Sequence, residues 1–353
     1  MKRIVTRLIS LSLAGAIAVS AGACAKKRSA YISDTQFLLN TSCTISLYDK
    51  QDRSVLKQVF ALCAHYDKLF SMTDTGSDIY KINHAGGRPV TVDADTIGVI
   101  EDGLGYSKES DGKFDITVGA LTTLWNIEGT NPKVPAESDI RAAMQTIDYH
   151  NVVVSGNTVT LKDPKALIDL GGVAKGYIAD KLKAFLLKKG VHQAIINLGG
   201  NVEVLGSKSA HSPWIVGVQQ PFMGRNQDIG YLYVSDKSVV TSGIYERYFT
   251  QDGKLYAHIL DPRTGYPVEN NLSSVTIISD QSKQGDGLSA TCFLLGMDQA
   301  TRLIESLPDT EAIFITKDGQ IITTPGINKT IKFVPAQQAS PQTGSQPSSQ
   351  SSK

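Results

Sequence analysis

This 353-residue chain has almost no excess of positive or negative charge, few cysteines and no long apolar run. The formal net charge is only +1, so the chain lacks the basic excess of a nucleic-acid-binding protein, and we expect no nucleic-acid partner. The apolar stretch from Leu8 to Val19 is shorter than a membrane-spanning helix requires. An apolar content of 41% is typical of a globular protein with an ordinary core.

Cysteine is too rare here for a disulfide framework. In addition to Cys24, the chain contains three cysteines, an odd number: Cys43, Cys63 and Cys292. A bridge between Cys43 and Cys63 stays open in an oxidising compartment, but buried free thiols are the simpler interpretation. No Cys/His spacing indicates zinc.

The N-terminus has the composition of a bacterial export signal. Basic residues precede the apolar stretch, and Ala21-Gly22-Ala23 stands directly before Cys24. Small residues before a cysteine resemble a lipobox, which predicts an extracytoplasmic lipoprotein anchored to the membrane through lipidated Cys24. Plain cleavage after Ala23 is the alternative, because Ala-x-Ala is also the ordinary signal-peptidase pattern and Ala21 stands where a lipobox usually has Leu.

The rest of the chain reads as one domain. We predict a signal peptide over 1–23, a lipid-anchored linker over 24–36, a folded domain over 37–335 and a disordered tail over 336–353. The tail is rich in Gln, Ser, Pro and Gly and cannot bury apolar surface. Within the domain, alternating strand patterns are interspersed with helical ones and no linker divides them, which predicts an α+β fold of mixed sheets with flanking helices.

The most informative segment runs from Asp169 to Asp180. An apolar run ends in Asp169, Gly171-Gly172 follows, and Lys175 opens a pattern typical of a helix. A glycine turn that feeds a helix N-terminus exposes backbone N–H groups, and the helix dipole favours an anion there.

Two further segments carry candidate chemistry. His258 ends a short strand pattern and precedes Asp-Pro-Arg-Thr-Gly; it could act as a base or hold a phosphate, or merely cap its own turn. Asp286 is expected to start a helix as its N-cap. Ser289 would share its side of the helix, and carboxylate with hydroxyl oxygens suits Mg²⁺. Three other turns containing glycine suggest a ligand with phosphates and flat rings: Lys113–Gly119, Asn197–Asn201 and Thr241–Arg247.

Together these segments resemble the FAD:protein FMN transferases, the ApbE-type flavin transferases. The resemblance covers Phe37 to about Val334 and rests on six ordered motifs: Phe114–Gly119, Asp169–Gly176, Asn197–Gly200, Ser242–Gly243 with Tyr245–Arg247, His258–Gly265, and Asp286 with Leu288 and Ser289. It implies a single ApbE-like α+β domain that binds FAD and Mg²⁺. It also implies an activity: the enzyme splits the FAD pyrophosphate, releases AMP and attaches FMN through a phosphoester to a Thr or Ser of a target flavoprotein.

The resemblance also implies roles for individual residues. His258 takes the catalytic position and lies near the flavin nucleotide. Flavin-nucleotide contacts fall on Lys113, Phe114, Asp115, Asp169 and Lys175. Metal ligands fall on the Gly172 carbonyl and the Asp286 carboxylate, and Ser289 or Thr291 could replace a third ligand of the family that this chain lacks. The implied partner is an extracytoplasmic flavoprotein with a Ser/Thr-Gly-Ala-type motif.

Two positions depart from the family pattern. The family places a metal-binding Thr after Asp and three further residues, where this chain has Ala290, with Thr291 one position later. The Met-Gly-Thr of the family is Leu39-Asn40-Thr41 here. Two other functions stay open: hydrolysis of FAD to FMN and AMP, with water in place of the acceptor hydroxyl, and FAD binding by a lipoprotein without turnover, which the departure at Ala290 keeps open.

Overall fold

The computed structural model describes residues 31–224 and 227–336, which lie in one compact unit. The predicted signal peptide, Cys24 and all of the predicted tail beyond residue 336 lie outside the described residues. The first strand begins at Ile32, inside the segment 24–36 predicted to be a linker. No helix among the described residues is long and apolar enough to cross a membrane.

An eight-stranded antiparallel sheet forms the centre of the fold. In spatial order its strands are β1 (Ile32–Leu38), β2 (Thr41–Leu47), β6 (Ala194–Leu198), β7 (Asn201–Leu205), β10 (Ser238–Gly243), β13 (Leu272–Ser279), β14 (Glu311–Thr316) and β15 (Ile321–Thr323). Every residue of β13 is buried, because both faces of the sheet are covered there. Val275 and Ile277 pack toward helices on one face, while Ile278 packs toward a smaller sheet on the other.

The remaining strands form three smaller sheets. β8 (Trp214–Gln219), β9 (Asp228–Val234) and β16 (Lys332–Pro335) cover the second face of the central sheet. The others are β3 (Val90–Thr91), β5 (Thr158–Leu161) and β4 (Val152–Ser155), and the hairpin of β11 (Tyr248–Gln251) with β12 (Lys254–Ala257).

Eight α-helices lie among the described residues: α1 (Arg53–Phe70), α2 (Asp78–Asn83), α3 (Ala94–Glu109), α4 (Gly119–Trp125), α5 (Glu137–Met144), α6 (Ala174–Lys188), α7 (Ser282–Leu295) and α8 (Met297–Ser306). A single 3₁₀ turn spans Tyr149–Asn151. Helix α7 packs over β10 and β13 and against α6. A Cβ at Gly176 of α6 would lie 2.3 Å from the Ser282 carbonyl oxygen, so this glycine lets the two helices meet.

The structure corrects two expectations about element boundaries. The pattern from Phe37 to Tyr48 predicts one strand, but Leu39 and Asn40 both have positive φ and form a tight turn that divides it into β1 and β2. Asp286 does not start a helix: α7 begins at Ser282 after Gln281, and Asp286 lies in its second turn.

Cys43, Cys63 and Cys292 are buried free thiols, which confirms the simpler interpretation of their scarcity. Cys43 and Cys63 belong to the largest hydrophobic cluster, between β2, α1 and α6, and Cys292 packs in the cluster beneath α7.

Candidate active site

One cavity of about 730 Å³ gathers most of the residues singled out from the sequence. Its wall is drawn from distant parts of the chain, between Leu39 and Leu294. The predicted site residues on that wall are Lys113, Phe114, Asp115, Asp169, Gly172, Lys175, His258 and Asp286. Ser289 is not among the residues on the cavity wall. A volume of this size accommodates a nucleotide-sized ligand.

The Gly171-Gly172 turn brings backbone to the cavity. The Asp169 carboxylate accepts a hydrogen bond from the Gly171 N–H at 2.8 Å and so shapes the turn. A Cβ at Gly172 would lie 2.7 Å from the Phe114 ring, so only glycine fits beneath that aromatic side chain. The side chain of Val173 does not cap the start of α6, and the Asp286 carboxylate accepts a hydrogen bond from the Gly176 N–H in the first turn instead. The sequence prediction of an anion-favouring helix N-terminus is consistent with this geometry.

Asp286 is a buried carboxylate at the inner wall. Its side chain is about 6% exposed, and Oδ2 accepts a hydrogen bond from the Gly176 N–H at 2.8 Å. The Lys175 ammonium lies 3.7 Å from Oδ1. Burial raises the pKa of Asp286 above its ordinary value, and the positive charge of Lys175 opposes that rise. A cation beside Oδ1 would favour the ionised form further.

The residues after Asp286 show which side of α7 faces the cavity. Ala290 lies on the cavity wall, near Gly172. The Ser289 hydroxyl is fully buried and bonds to Ser242 and to the Asp286 carbonyl, both at 2.9 Å. Thr291 is also fully buried, and its hydroxyl has no hydrogen-bond partner. The side chain that reaches the cavity one turn after Asp286 is therefore a methyl group.

His258 follows β12 and is oriented by the backbone. Its Nδ1 lies 3.2 Å from the Arg247 carbonyl oxygen. Because a carbonyl only accepts, Nδ1 carries the proton in this bond, and Nε2 keeps its lone pair. Burial lowers the pKa of His258 to about 4, and the charges of Arg247 and Lys175 lower it as well. The imidazole is therefore neutral at pH 7.

Three further predicted contact residues on the cavity wall have different structural roles. Asp115 accepts hydrogen bonds from the Thr117 N–H at 2.8 Å and the Tyr149 N–H at 3.0 Å, so its carboxylate holds two loops together. Burial raises the pKa of Asp115. Phe114 packs edge-to-face on Tyr106. Lys113 reaches the Gln299 side chain at 3.4 Å.

Sequence reasoning flagged the turn that ends at Asn201 but named no single residue of it as a site residue. Asn201 lines the cavity and is 1% exposed. Its Oδ1 accepts a hydrogen bond from the Ser282 hydroxyl at 2.6 Å, and its side chain lies beside Asp286, where it favours the ionised carboxylate. Arg247, paired with Glu128 at 2.6 Å, is a second cavity residue that only its motif indicated. Among the described residues, no group of three His, Cys, Asp or Glu side chains forms a ready-made metal cage.

The sequence matches the ApbE family over residues 39–314. It is 40% identical to an FAD:protein FMN transferase of Klebsiella pneumoniae over 288 residues, which cover 81% of this chain and 89% of that protein. It is 31% identical to a protein of the same name from Treponema pallidum over 324 residues, or 86% of this chain and 90% of the relative.

Solved structures agree with the fold. An ApbE protein from Thermotoga maritima superposes with a TM-score of 0.77 at 32% identity, covering 84% of this chain and 97% of that one. The flavin transferase ApbE of Vibrio cholerae superposes with a TM-score of 0.76, covering 84% and 98% of the two chains; at 22% identity this likeness shows the fold alone. The expected α+β architecture is confirmed.

Proposed function

This chain belongs to the ApbE family, and from that premise we propose that it transfers FMN from FAD to a Ser or Thr hydroxyl of a target flavoprotein. Membership makes it an enzyme of the flavin-transferase class, as the sequence motifs indicated. One observation carries the finer proposal: a neutral, backbone-oriented His258 shares a nucleotide-sized cavity with the start of α6 and with buried Asp286.

The proposed reaction is a phosphoryl transfer with His258 as general base. The acceptor hydroxyl oxygen bonds to the phosphorus of the FMN half, and the bond from that phosphorus to the bridging oxygen breaks. AMP leaves with that oxygen, and the hydroxyl proton moves to Nε2 of His258. A general base contributes about 10²–10⁴-fold to such a rate.

Lys175, on the wall of the same cavity, supplies positive charge for the pyrophosphate. The Gly176 N–H in the first turn of α6 is already bonded to Asp286, so this turn would act on the ligand through the helix dipole and not through a free N–H group. We assign flavin-nucleotide contacts to Lys113, Phe114 and Asp169. Asp115 supports them by shaping the Phe114 loop, since its carboxylate oxygens already accept backbone hydrogen bonds.

The donor set fits a magnesium ion held jointly with the substrate. Mg²⁺ in proteins often takes only one or two carboxylates and completes its shell with phosphate oxygens and water. Asp286, whose burial disfavours an unpaired charge, and the Gly172 carbonyl would hold it. Ser289 stays a prediction as a ligand, although its hydroxyl is engaged with Ser242. The ion would polarise phosphoryl oxygens as a Lewis acid.

The test combines purified residues 25–353 with FAD, Mg²⁺ and a peptide that carries a Ser/Thr-Gly-Ala-Thr-like acceptor. We expect an FMN adduct on the peptide and AMP in solution by mass spectrometry, both lost on chelation. AMP without adduct would favour FAD hydrolysis. Bound FAD with neither product would favour the binding-protein alternative, to which the methyl group of Ala290 on the cavity wall lends weight.

His258→Ala is the matching variant, with exposed His211→Ala as its control. The first should abolish adduct formation while FAD still binds, because the cavity wall is otherwise unchanged. The second should behave as the parent protein. Transfer by His258→Ala at the parental rate would refute the general-base role.

We further propose that the enzyme is an extracytoplasmic lipoprotein, on the strength of Ala21-Gly22-Ala23-Cys24. Cys24→Ala should move the expressed protein from the membrane fraction to the soluble fraction. An unchanged distribution would favour plain cleavage after Ala23.

A further inference from the structure

Three large apolar side chains lie exposed beside the active site. Phe222 is 50% exposed, Met223 48% and Tyr248 45%. The rings of Phe222 and Tyr248 meet edge-to-face with centroids 6.0 Å apart, and Phe222 also packs on buried Tyr245 at 5.9 Å. We call Phe222, Met223 and Tyr248 the aromatic patch. Clustered exposed aromatic groups are typical of binding surfaces.

Phe222 is held in this position against its backbone preference. Its φ is +62°, in the left-handed region that bulky side chains rarely adopt. The surrounding turn enforces it: the Met223 N–H donates to the Gln220 carbonyl, and the Gln219 amide donates to the Met223 carbonyl, both at 3.2 Å. Because Phe222 is half exposed, burial among the described residues does not compensate for the strain. Strained residues of this kind concentrate at functional sites.

The patch is continuous with the catalytic cavity but does not line it. Tyr248 follows Arg247, and its partner across the β11–β12 hairpin is Ala257, which precedes His258. Arg247 and His258 are both on the cavity wall. A ligand held inside the cavity therefore leaves the patch uncovered, whereas a chain that enters from outside to reach His258 can lie across it.

We propose that the aromatic patch binds the acceptor flavoprotein through an apolar side chain next to the hydroxyl residue that is modified. This inference rests on the proposed transferase function. That function requires a protein segment at the cavity mouth, and the patch is an apolar surface that shares a hairpin end with His258. The patch would then select acceptors by the residues that flank the hydroxyl, while the cavity selects FAD.

The experiment uses two fluorescent peptides with the same Ser/Thr-Gly-Ala-Thr acceptor and either Leu or Ser at the flanking positions. Each is tested with the parent protein, with Phe222→Ser/Tyr248→Ser, and with Ile322→Ser as control. Ile322 is an exposed apolar side chain outside the aromatic patch: it is 38% exposed on β15, an edge strand of the central sheet. Binding in the presence of FAD is measured by fluorescence anisotropy, and kcat/KM for the peptide by mass spectrometry.

We expect the parent and the Ile322→Ser protein to bind the Leu peptide about 10-fold more tightly than the Ser peptide, as for loss of an aromatic anchor at an interface. The double variant should bind both peptides equally, with unchanged melting temperature and FAD affinity. Equal binding of both peptides by the parent would overturn the proposal, whether or not transfer occurs. Preferential binding without any adduct would support the patch and refute the transferase function instead.

A second copy of the chain is the competing occupant. Sedimentation of the parent as a dimer that the double variant abolishes would overturn the acceptor assignment. A monomer in both cases, together with the peptide preference, would support it.

Discussion

At the scale of single residues, the low pKa of His258 predicts the pH at which activity is lost in acid. The proposed general base must be neutral, and burial lowers the pKa of His258 to about 4 from its ordinary value of 6.5. Activity should therefore persist at pH 5–6, and kcat/KM for FAD should fall as the pH drops through about 4, because this parameter reports the free enzyme.

An NMR titration of the imidazole, assigned with His258→Gln, provides an independent check. A midpoint near 6.5 for that signal would contradict the effect of burial and of the neighbouring cations.

Ala290 offers a second test at this scale. Ala290→Thr would place a hydroxyl on the cavity wall, near Gly172 and one turn from Asp286. We expect about 10-fold tighter Mg²⁺ binding, measured by Mn²⁺ competition and by melting temperature in the presence of the ion. Thr291→Val is the matched control: it should leave ion affinity unchanged and raise stability, since an unpartnered buried hydroxyl costs about 1–3 kcal/mol. Equal ion affinities of Ala290→Thr and the parent would contradict the metal assignment.

These residues also show what the sequence could and could not predict. The order of the motifs was enough to predict that His258, Lys175 and Asp286 belong to one site, and all three line the cavity. Spacing alone did not predict the phase of α7, because the i,i+3 spacing pairs Asp286 with Ser289, whereas the contact with α6 turns Ala290 to the cavity. Only the resemblance to the family marked the position of Ala290 as one that faces the metal. Which face of a helix meets a ligand depends on packing with its neighbours, and spacing alone does not fix it.

At the scale of elements, the contact between α6 and α7 depends on Gly176. A Cβ there would lie 2.6 Å from the Asp286 Cβ, so Gly176→Ala should push the helices apart and cost about 1–3 kcal/mol in unfolding free energy. It should also weaken Mg²⁺ binding, because the Gly176 N–H positions the Asp286 carboxylate. Urea denaturation and ion titration measure the two effects.

Gly105→Ala in α3 is the control, since that position is exposed with open space around it. It should stabilise the protein by up to about 1 kcal/mol. Equal effects of the two substitutions would contradict the close-contact argument.

The two element boundaries that the sequence predicts wrongly have identifiable causes. The β1–β2 turn was missed because Leu39 adopts a positive φ that its type rarely takes, while the alternating pattern continues through it. The predicted start of α7 at Asp286 is too late because no side-chain cap marks the true start of the helix at Ser282. Short elements such as α2, α4 and β15 are defined by tertiary contacts rather than by their own patterns.

At the scale of the whole molecule, buried Glu203 should make stability depend on pH. Burial raises its pKa to about 7, although Lys183 lies 2.5 Å away. A raised carboxyl pKa stabilises the fold fully below about 4.5, and this contribution is lost as the pH rises through about 7. Glu203→Gln should therefore lose less stability than the parent between pH 5 and pH 8, by up to about 3 kcal/mol.

Urea unfolding at the two pH values measures this difference. The same pH dependence in both proteins would contradict the raised pKa.

The cavity wall runs from Leu39 to Leu294, nearly the length of the folded domain, so the cavity exists only when the whole domain is assembled. Occupancy and folding are therefore thermodynamically linked. A ligand present at a hundred times its Kd adds about 2.7 kcal/mol to the free energy of unfolding. The supply of free flavin nucleotide in its compartment would thus set not only how fast this protein works but also how much of it stays folded and resists proteolysis.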